Sequence, residues 1–278
     1  MASAALQRPD TQPDSRPGAR PAPPPLLREF SYWLHRYRRT WRGTVVISVA
    51  NPLLFLAAIG AGLGKLVDRG VSGYLHGSSY VAFFAPGLLA AMAMQTGFIE
   101  AAGPVFQSAR PQGNYRAAAA TSMSPTDILG GHLLFMAFRL ALSATAFSAV
   151  VAAFGITGPL RALLLVPAAT LTGMAFCAPV AAWSVTVTRQ ARINGVFRFV
   201  LMPLYMFSGT FFSTDQLPRW LHAVIACTPL YQGIELCRSI VAGTATARGT
   251  ALHTGYLAAL VLLGYLAARR TFTRRLNG

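Results

Sequence analysis

Long apolar runs without charge, separated by short stretches rich in arginine, constrain this chain more than any other feature. In lipid every backbone polar group must be satisfied within the chain, so a run of about 20 such residues reads as a helix crossing a bilayer. Of the 278 residues, 54% are hydrophobic and only 12% charged, against about 25% charged in soluble domains. Runs near 44–64, 80–104, 127–154, 161–187, 196–212 and 250–268 predict an all-α polytopic membrane protein with six transmembrane helices.

The net charge is +16, from 24 Lys+Arg against 8 Asp+Glu. Such a balance also suits nucleic acid. Here the cations gather at the ends of the apolar runs, which is the pattern that sets membrane orientation, so no nucleic-acid partner is implied. With the N-terminus inside, the inner segments carry Arg28, Arg36, Arg38, Arg39 and Arg42, then Arg110 and Arg116, then Arg189, Arg192 and Arg198, then Arg269, Arg270, Arg274 and Arg275. The outer segments carry Lys65, Arg69, Arg161, Arg219, Arg238 and Arg248. Both termini are basic, so an even number of spans puts both in the cytosol. Two short apolar pieces, 220–227 and 230–242, interrupted by Asp215, Pro218 and Pro229 and carrying Glu235 and Arg238, are too short to cross. They read as an outer re-entrant helical hairpin between the fifth and sixth spans.

Residues 1–25 are rich in Pro, Ala and Arg and predict a disordered cytosolic tail. In residues 26–41, Leu26, Phe30, Trp33, Leu34, Tyr37 and Trp41 recur at helical spacing, with cations mostly elsewhere on the wheel. This predicts an amphipathic helix in the headgroup plane, acting as an anchor or as a lever on the first span. The stretch Gly60 to Lys65 imitates a phosphate loop but has Ile59 and Leu66 where Gly and Ser or Thr are needed. The chain therefore does not hydrolyse ATP by that route. Cys177, Cys227 and Cys237 lack metal spacing.

Residues 108–132 turn the chain round between the second and third spans. They contain a predicted short helix, 114–120, with Asn114, Tyr115 and Arg116 at its start and alanines after them. Aromatic and Arg side chains are the types enriched at interface hot spots, so this segment is the natural contact for a soluble partner. The sequence Ser124-Pro125-Thr126-Asp127 then has the form of a helix start with a capping box. Ionisable groups inside a membrane are costly, which singles out Glu100, His132 and Arg139. By helical rise, Glu100 and His132 lie at similar depth and Arg139 about 10 Å further out. That predicts a Glu100–His132 contact between the second and third spans, with a polar substrate path as the other reading, and argues against a Glu100–Arg139 pair. No metal or acid–base constellation stands out.

The order of these features, with YVAFFAPGLLAAMAMQ at 80–95, Gly113-Asn114-Tyr115, Ser124-Pro125-Thr126-Asp127, FSGTFFSTDQL at 207–217 and TPLYQGIELCR at 228–238, resembles the membrane subunit of a type-2 ABC exporter. It is most similar to the NodJ-like and daunorubicin-type drug-exporter permeases, over about residues 26–275. The resemblance implies one half of a dimeric pore in a bacterial cytoplasmic membrane, formed with a second permease copy or a homologous permease among membrane lipids. It implies a separate ABC ATPase subunit that holds ATP and Mg, with no cofactor on this chain. The family's coupling helix falls on 114–120 and its outer hairpin on 215–242. Its cargoes include oligosaccharides, lipid-linked glycans and hydrophobic drugs. A secondary transporter or a membrane-embedded enzyme remain the alternatives, though no internal repeat or convergent catalytic set supports them.

Overall fold

The computed structural model describes residues 23–58, 80–212, 214 and 218–276, and every regular element among them is a helix. The predicted tail up to residue 22, the chain from 59 to 79 and Asp215 lie outside the described residues. Four helices are long and apolar enough to cross a membrane: α3 (Tyr80–Ser108), α5 (Pro125–Ala153), α6 (Pro159–Ser184) and α11 (Ala247–Leu276). Before them come α1 (Pro25–Tyr37) and α2 (Trp41–Ala58), and between α3 and α5 the six-residue α4 (Asn114–Ala119). Then follow α7 (Gln190–Val196), a π-helical stretch (Phe197–Leu201), α8 (Met202–Phe207), α9 (Arg219–Ala226) and α10 (Pro229–Ala242).

Local chemistry sets several of these boundaries. Ser124 Oγ accepts from Asp127 N, and Asp127 Oδ2 accepts from Ser124 N, each at 3.1 Å, so the capping box starts α5. Thr228 Oγ1 caps α10 by accepting from Tyr231 N at 3.3 Å, with Pro229 in the first turn, where its missing donor is harmless.

Two expected boundaries are corrected. The amphipathic segment ends at Tyr37, and Trp41 opens α2 after a turn at 38–40. The run expected at 196–212 is helical from 190 and stops at Phe207. Its π-helical stretch lies just before Pro203, which cannot donate to the Phe199 carbonyl one turn back. Gly209, with φ of 86°, then turns the chain away from the helix axis.

The helices share two apolar cores. One is built on Phe84, Leu88, Met94 and Phe98 of α3, Phe147 of α5, Leu165 of α6 and Ile234 of α10. The other joins Trp33 and Tyr37 of α1, Tyr115 of α4, Ile128 and Met136 of α5, Cys177 of α6 and Phe272 of α11. The first is covered at one end by α10, where Arg161 Nη1 donates to Val241 O at 3.2 Å. The second closes the opposite end of the bundle, where α4 sits.

Candidate functional site

At the α4 end, α1 crosses the start of α5 with its backbone almost touching. A Cβ on Gly131 would stand 2.5 Å from Leu26 O, so only glycine permits the crossing. The crossing buries the face of α1 that carries Glu29, Trp33 and Tyr37, spaced one turn apart. Trp33 stacks on His132 with ring centroids 3.8 Å apart and planes within 8°. Glu29 Oε1 accepts from Trp33 Nε1 at 2.7 Å and from Asn114 Nδ2 at 3.2 Å. Burial pushes the Glu29 carboxyl above its ordinary range, and those two donors pull it part of the way back.

From the other side, Tyr115 fills the space between His132 and Phe272. Its hydroxyl is hydrogen-bonded to His132 Nδ1, and its ring centroid lies 5.3 Å from that of Phe272. Burial holds the Tyr115 hydroxyl well above the usual phenol range, with Glu29 the next cause, so the phenol stays neutral. Glu29, Trp33, Asn114, Tyr115 and His132 thus form one polar and aromatic knot joining α1, α4 and α5, with α11 packed on its edge.

This arrangement corrects two expectations. Tyr115 and Arg116 were anticipated side by side on a contact surface. Neighbouring positions on a helix point about 100° apart, and the structure divides them: Tyr115 is 0% exposed, whereas Arg116 is exposed and Asn114 half-buried. His132 was anticipated against Glu100 but belongs to the knot. Glu100 instead pairs with Arg139, Oε1 to Nη2 at 2.9 Å. Comparing depths by rise alone neglected side-chain direction. Each Cα–Cβ bond leans towards its helix N-terminus. α3 and α5 run oppositely between the two ends, so Glu100 and Arg139 lean towards each other and close the gap. Arg139 also lies over the Tyr37 ring, 4.7 Å from its centroid. Trp33 entered the sequence reading only as one member of the apolar stripe of residues 26–41, and Glu29 was not singled out. The available signal was an acid one turn before a Trp in an otherwise basic segment.

At the other end, Pro218 immediately precedes α9 and Pro229 starts α10. Glu235 and Arg238 meet at 3.2 Å, one turn apart on α10. The Arg238 guanidinium lies 3.8 Å from the Phe83 ring centroid of α3, and its Nη2 donates to Gly209 O. Cys227 is exposed and Cys237 buried, and both are free thiols.

Residues 28–242 match the model of the ABC-2 type transporter family, a stretch that runs from α1 through the knot to the last residue of α10. The chain belongs to the ABC-2 type transporter family. It is 31% identical over 255 residues to nodulation protein J of Rhizobium leguminosarum bv. viciae, covering 88% of this chain and 95% of that protein. It is 30% identical over 255 residues to nodulation protein J of Rhizobium meliloti strain 1021, with 88% and 94% covered. Nodulation protein J of Bradyrhizobium diazoefficiens is 29% identical over the same length, again covering 88% and 94%. As an ABC-2 type transporter the chain is the multi-pass membrane component of an ABC transporter, a transport subunit whose family implies an ABC ATPase partner.

Proposed function

We propose that this chain is the pore-forming permease subunit of an ATP-driven exporter in a bacterial cytoplasmic membrane, with ATP and Mg held by a separate ABC ATPase subunit. In this reading residues 26–275 form the transmembrane domain. Six segments cross the bilayer: α2, α3, α5, α6, the run 190–207, and α11. Both termini lie in the cytosol, α1 rests in the headgroup plane, and α9 with α10 forms an outer re-entrant hairpin. Two permease copies, or this one and a homologous permease, line a path for a hydrophobic drug, a lipid-linked molecule or an oligosaccharide.

One observation carries the coupling part of this reading. Arg116 stands exposed on a short helix whose neighbouring residue, Tyr115, is locked into the bundle against His132 and Phe272. A partner that pushes on Arg116 therefore moves α4 together with α1 and α5. Arg110, Arg189, Arg192, Arg274 and Arg275 belong to the same end of the bundle, which supports a cytosolic assignment for it. An ATP-driven permease without a phosphate loop receives its free energy through such a contact.

The test is uptake of a fluorescent hydrophobic cargo into inverted vesicles that contain the permease and a candidate ABC ATPase subunit. ATP-dependent uptake that needs both subunits is the expected result. Uptake driven by a proton gradient without the ATPase would favour an ion-coupled transporter instead.

A further inference from the structure

A cavity of about 290 Å³ lies between α1, α3 and α5. Pockets for small ligands start at about 300 Å³, so this one suits a headgroup and is too small for a whole drug-sized molecule. Arg36, Tyr37, Thr40, Glu100, Gln107 and Arg139 line it. Glu100 already neutralises Arg139. No carboxylate among the described residues pairs with Arg36, which is exposed and lies 5.5 Å from the Trp33 ring centroid, so no acid neutralises its charge at the cavity. Tyr37 is 7% exposed and its hydroxyl is buried without a hydrogen-bond partner among the described residues. A buried hydroxyl in that state is costly and calls for an acceptor.

We propose that this cavity holds the phosphate of an anionic membrane phospholipid, with Arg36 as its counter-charge and Tyr37 and Gln107 as hydrogen-bond donors, the Thr40 hydroxyl being engaged with Tyr37 O at 3.4 Å. The donor set has the chemistry of a phosphate site: an arginine, a hydroxyl and an amide. The remaining wall separates a lipid from free phosphate. Trp33, Pro104 and Phe135 form an apolar side to the cavity, which a glycerol backbone and its first methylenes can cover and an inorganic ion cannot. Position agrees with this. The cavity follows α3 from Glu100 to Ser108, about 12 Å at helical rise, beneath the amphipathic α1, which the proposed function above, on which this inference rests, puts at headgroup depth. A lipid held there pins α1 to α3 and thereby stiffens the helix that carries Glu29 and Trp33.

The experiment is thermal unfolding of the purified full-length permease in a neutral detergent, which needs neither the ATPase nor a known orientation. It is titrated with dioleoyl phosphatidylglycerol, with dioleoyl phosphatidylcholine and with inorganic phosphate. Phosphatidylglycerol should raise the midpoint saturably, and the other two should not. Arg36→Gln removes a charge-assisted contact and should weaken the phosphatidylglycerol response about tenfold or more. Arg42→Gln makes the same charge change outside the cavity and should leave the response within about twofold, the level of a screened surface charge. Should Arg36→Gln fail to fold, Tyr37→Phe keeps the ring under Arg139 and removes only the hydroxyl, for an expected loss of about fivefold. Equal responses in the wild type and in both cavity variants, or an equal loss in Arg42→Gln, would overturn the site in favour of diffuse charge. Stabilisation by inorganic phosphate alone would overturn the lipid as its occupant.

Discussion

Asn114 Nδ2 donates to the Glu29 carboxylate at 3.2 Å, and this contact joins the amphipathic helix α1 directly to the short helix α4. The same oxygen accepts from Trp33 Nε1, so one buried carboxylate satisfies two donors from two helices. Glu29→Gln retains an acceptor oxygen for both and removes a buried charge. It should match or exceed the wild type in thermal midpoint at pH 8. Glu29→Ala leaves both donors without their acceptor and should cost about 2 kcal/mol or more.

The Glu29 carboxyl also sets a pH dependence. Burial raises its value in the folded protein, so the fold binds this proton more tightly than the unfolded chain does. The associated stability is fully present below the unfolded value and is lost as pH rises through the folded one. The midpoint difference between Glu29→Gln and the wild type should therefore be largest at pH 8 and shrink on acidification. Melting curves from pH 8 down to 5 check this, and a difference that grows towards acid would contradict it.

Tyr115 is an anchor, and its variants should behave accordingly. Tyr115→Phe keeps the ring beside Phe272 but loses the hydroxyl from His132 Nδ1, costing about 1–3 kcal/mol. Tyr115→Ala empties a fully buried site and should cost about 3–5 kcal/mol, the range for large aromatic truncations. Chemical unfolding of the two variants, read by tryptophan fluorescence, separates them. Equal and negligible effects would mean that α4 is not seated as described.

Glu100 and Arg139 form a partner pair that can be dissected. Glu100→Gln removes the counter-charge of a guanidinium only 15% exposed, with an expected cost of about 3 kcal/mol. The double variant Glu100→Gln/Arg139→Met removes both charges and should recover at least half of that loss. Recovery of transport with recovery of stability marks the pair as a helix-to-helix contact. Transport that stays lost in a stable double variant marks it as part of the cargo path.

Orientation is open to labelling. With Cys227 replaced by Ser, a cysteine at Gly158 should react from outside with an impermeant thiol reagent. Cysteines at Gln112 or Arg192 should react only in inverted vesicles. All three positions are exposed, so a failure to react reflects side and not burial. Outside labelling at Gln112 would reverse the topology.

Much of this fold is legible in the residues because lipid leaves a helix few alternatives. The start of α4 at Asn114, the capping box at Ser124 and Asp127, and the Pro-started α10 all follow from local chemistry that needs no tertiary knowledge. Pairing was not legible. The Glu100–Arg139 contact depends on opposed side-chain leans along antiparallel helices, and rise per residue alone points to His132. The burial of Tyr115 depends on a cleft assembled by α5 and α11, elements far away in sequence. Glu29 looked like one acid in a basic segment, and only the approach of α1 to Gly131 explains why it is buried. The end of the 190–207 run at Phe207 reflects Pro203 and the turn at Gly209, which hydrophobicity alone does not register.

The central claim is that an ATPase subunit drives this permease through the exposed face of α4. Its most direct test is co-purification of the ABC ATPase with tagged permease carrying Arg116→Ala, with Tyr115→Phe as a variant altered only beneath that face. Arg116 is exposed, so its removal should change the stability of the permease by no more than about 0.5 kcal/mol. It should cost about 2 kcal/mol or more of partner binding, the lower bound for a hot spot, and ATPase recovery should fall accordingly. Undiminished recovery with Arg116→Ala, alongside normal transport, would contradict the account and move the contact to α1 or to the Arg189–Arg192 turn.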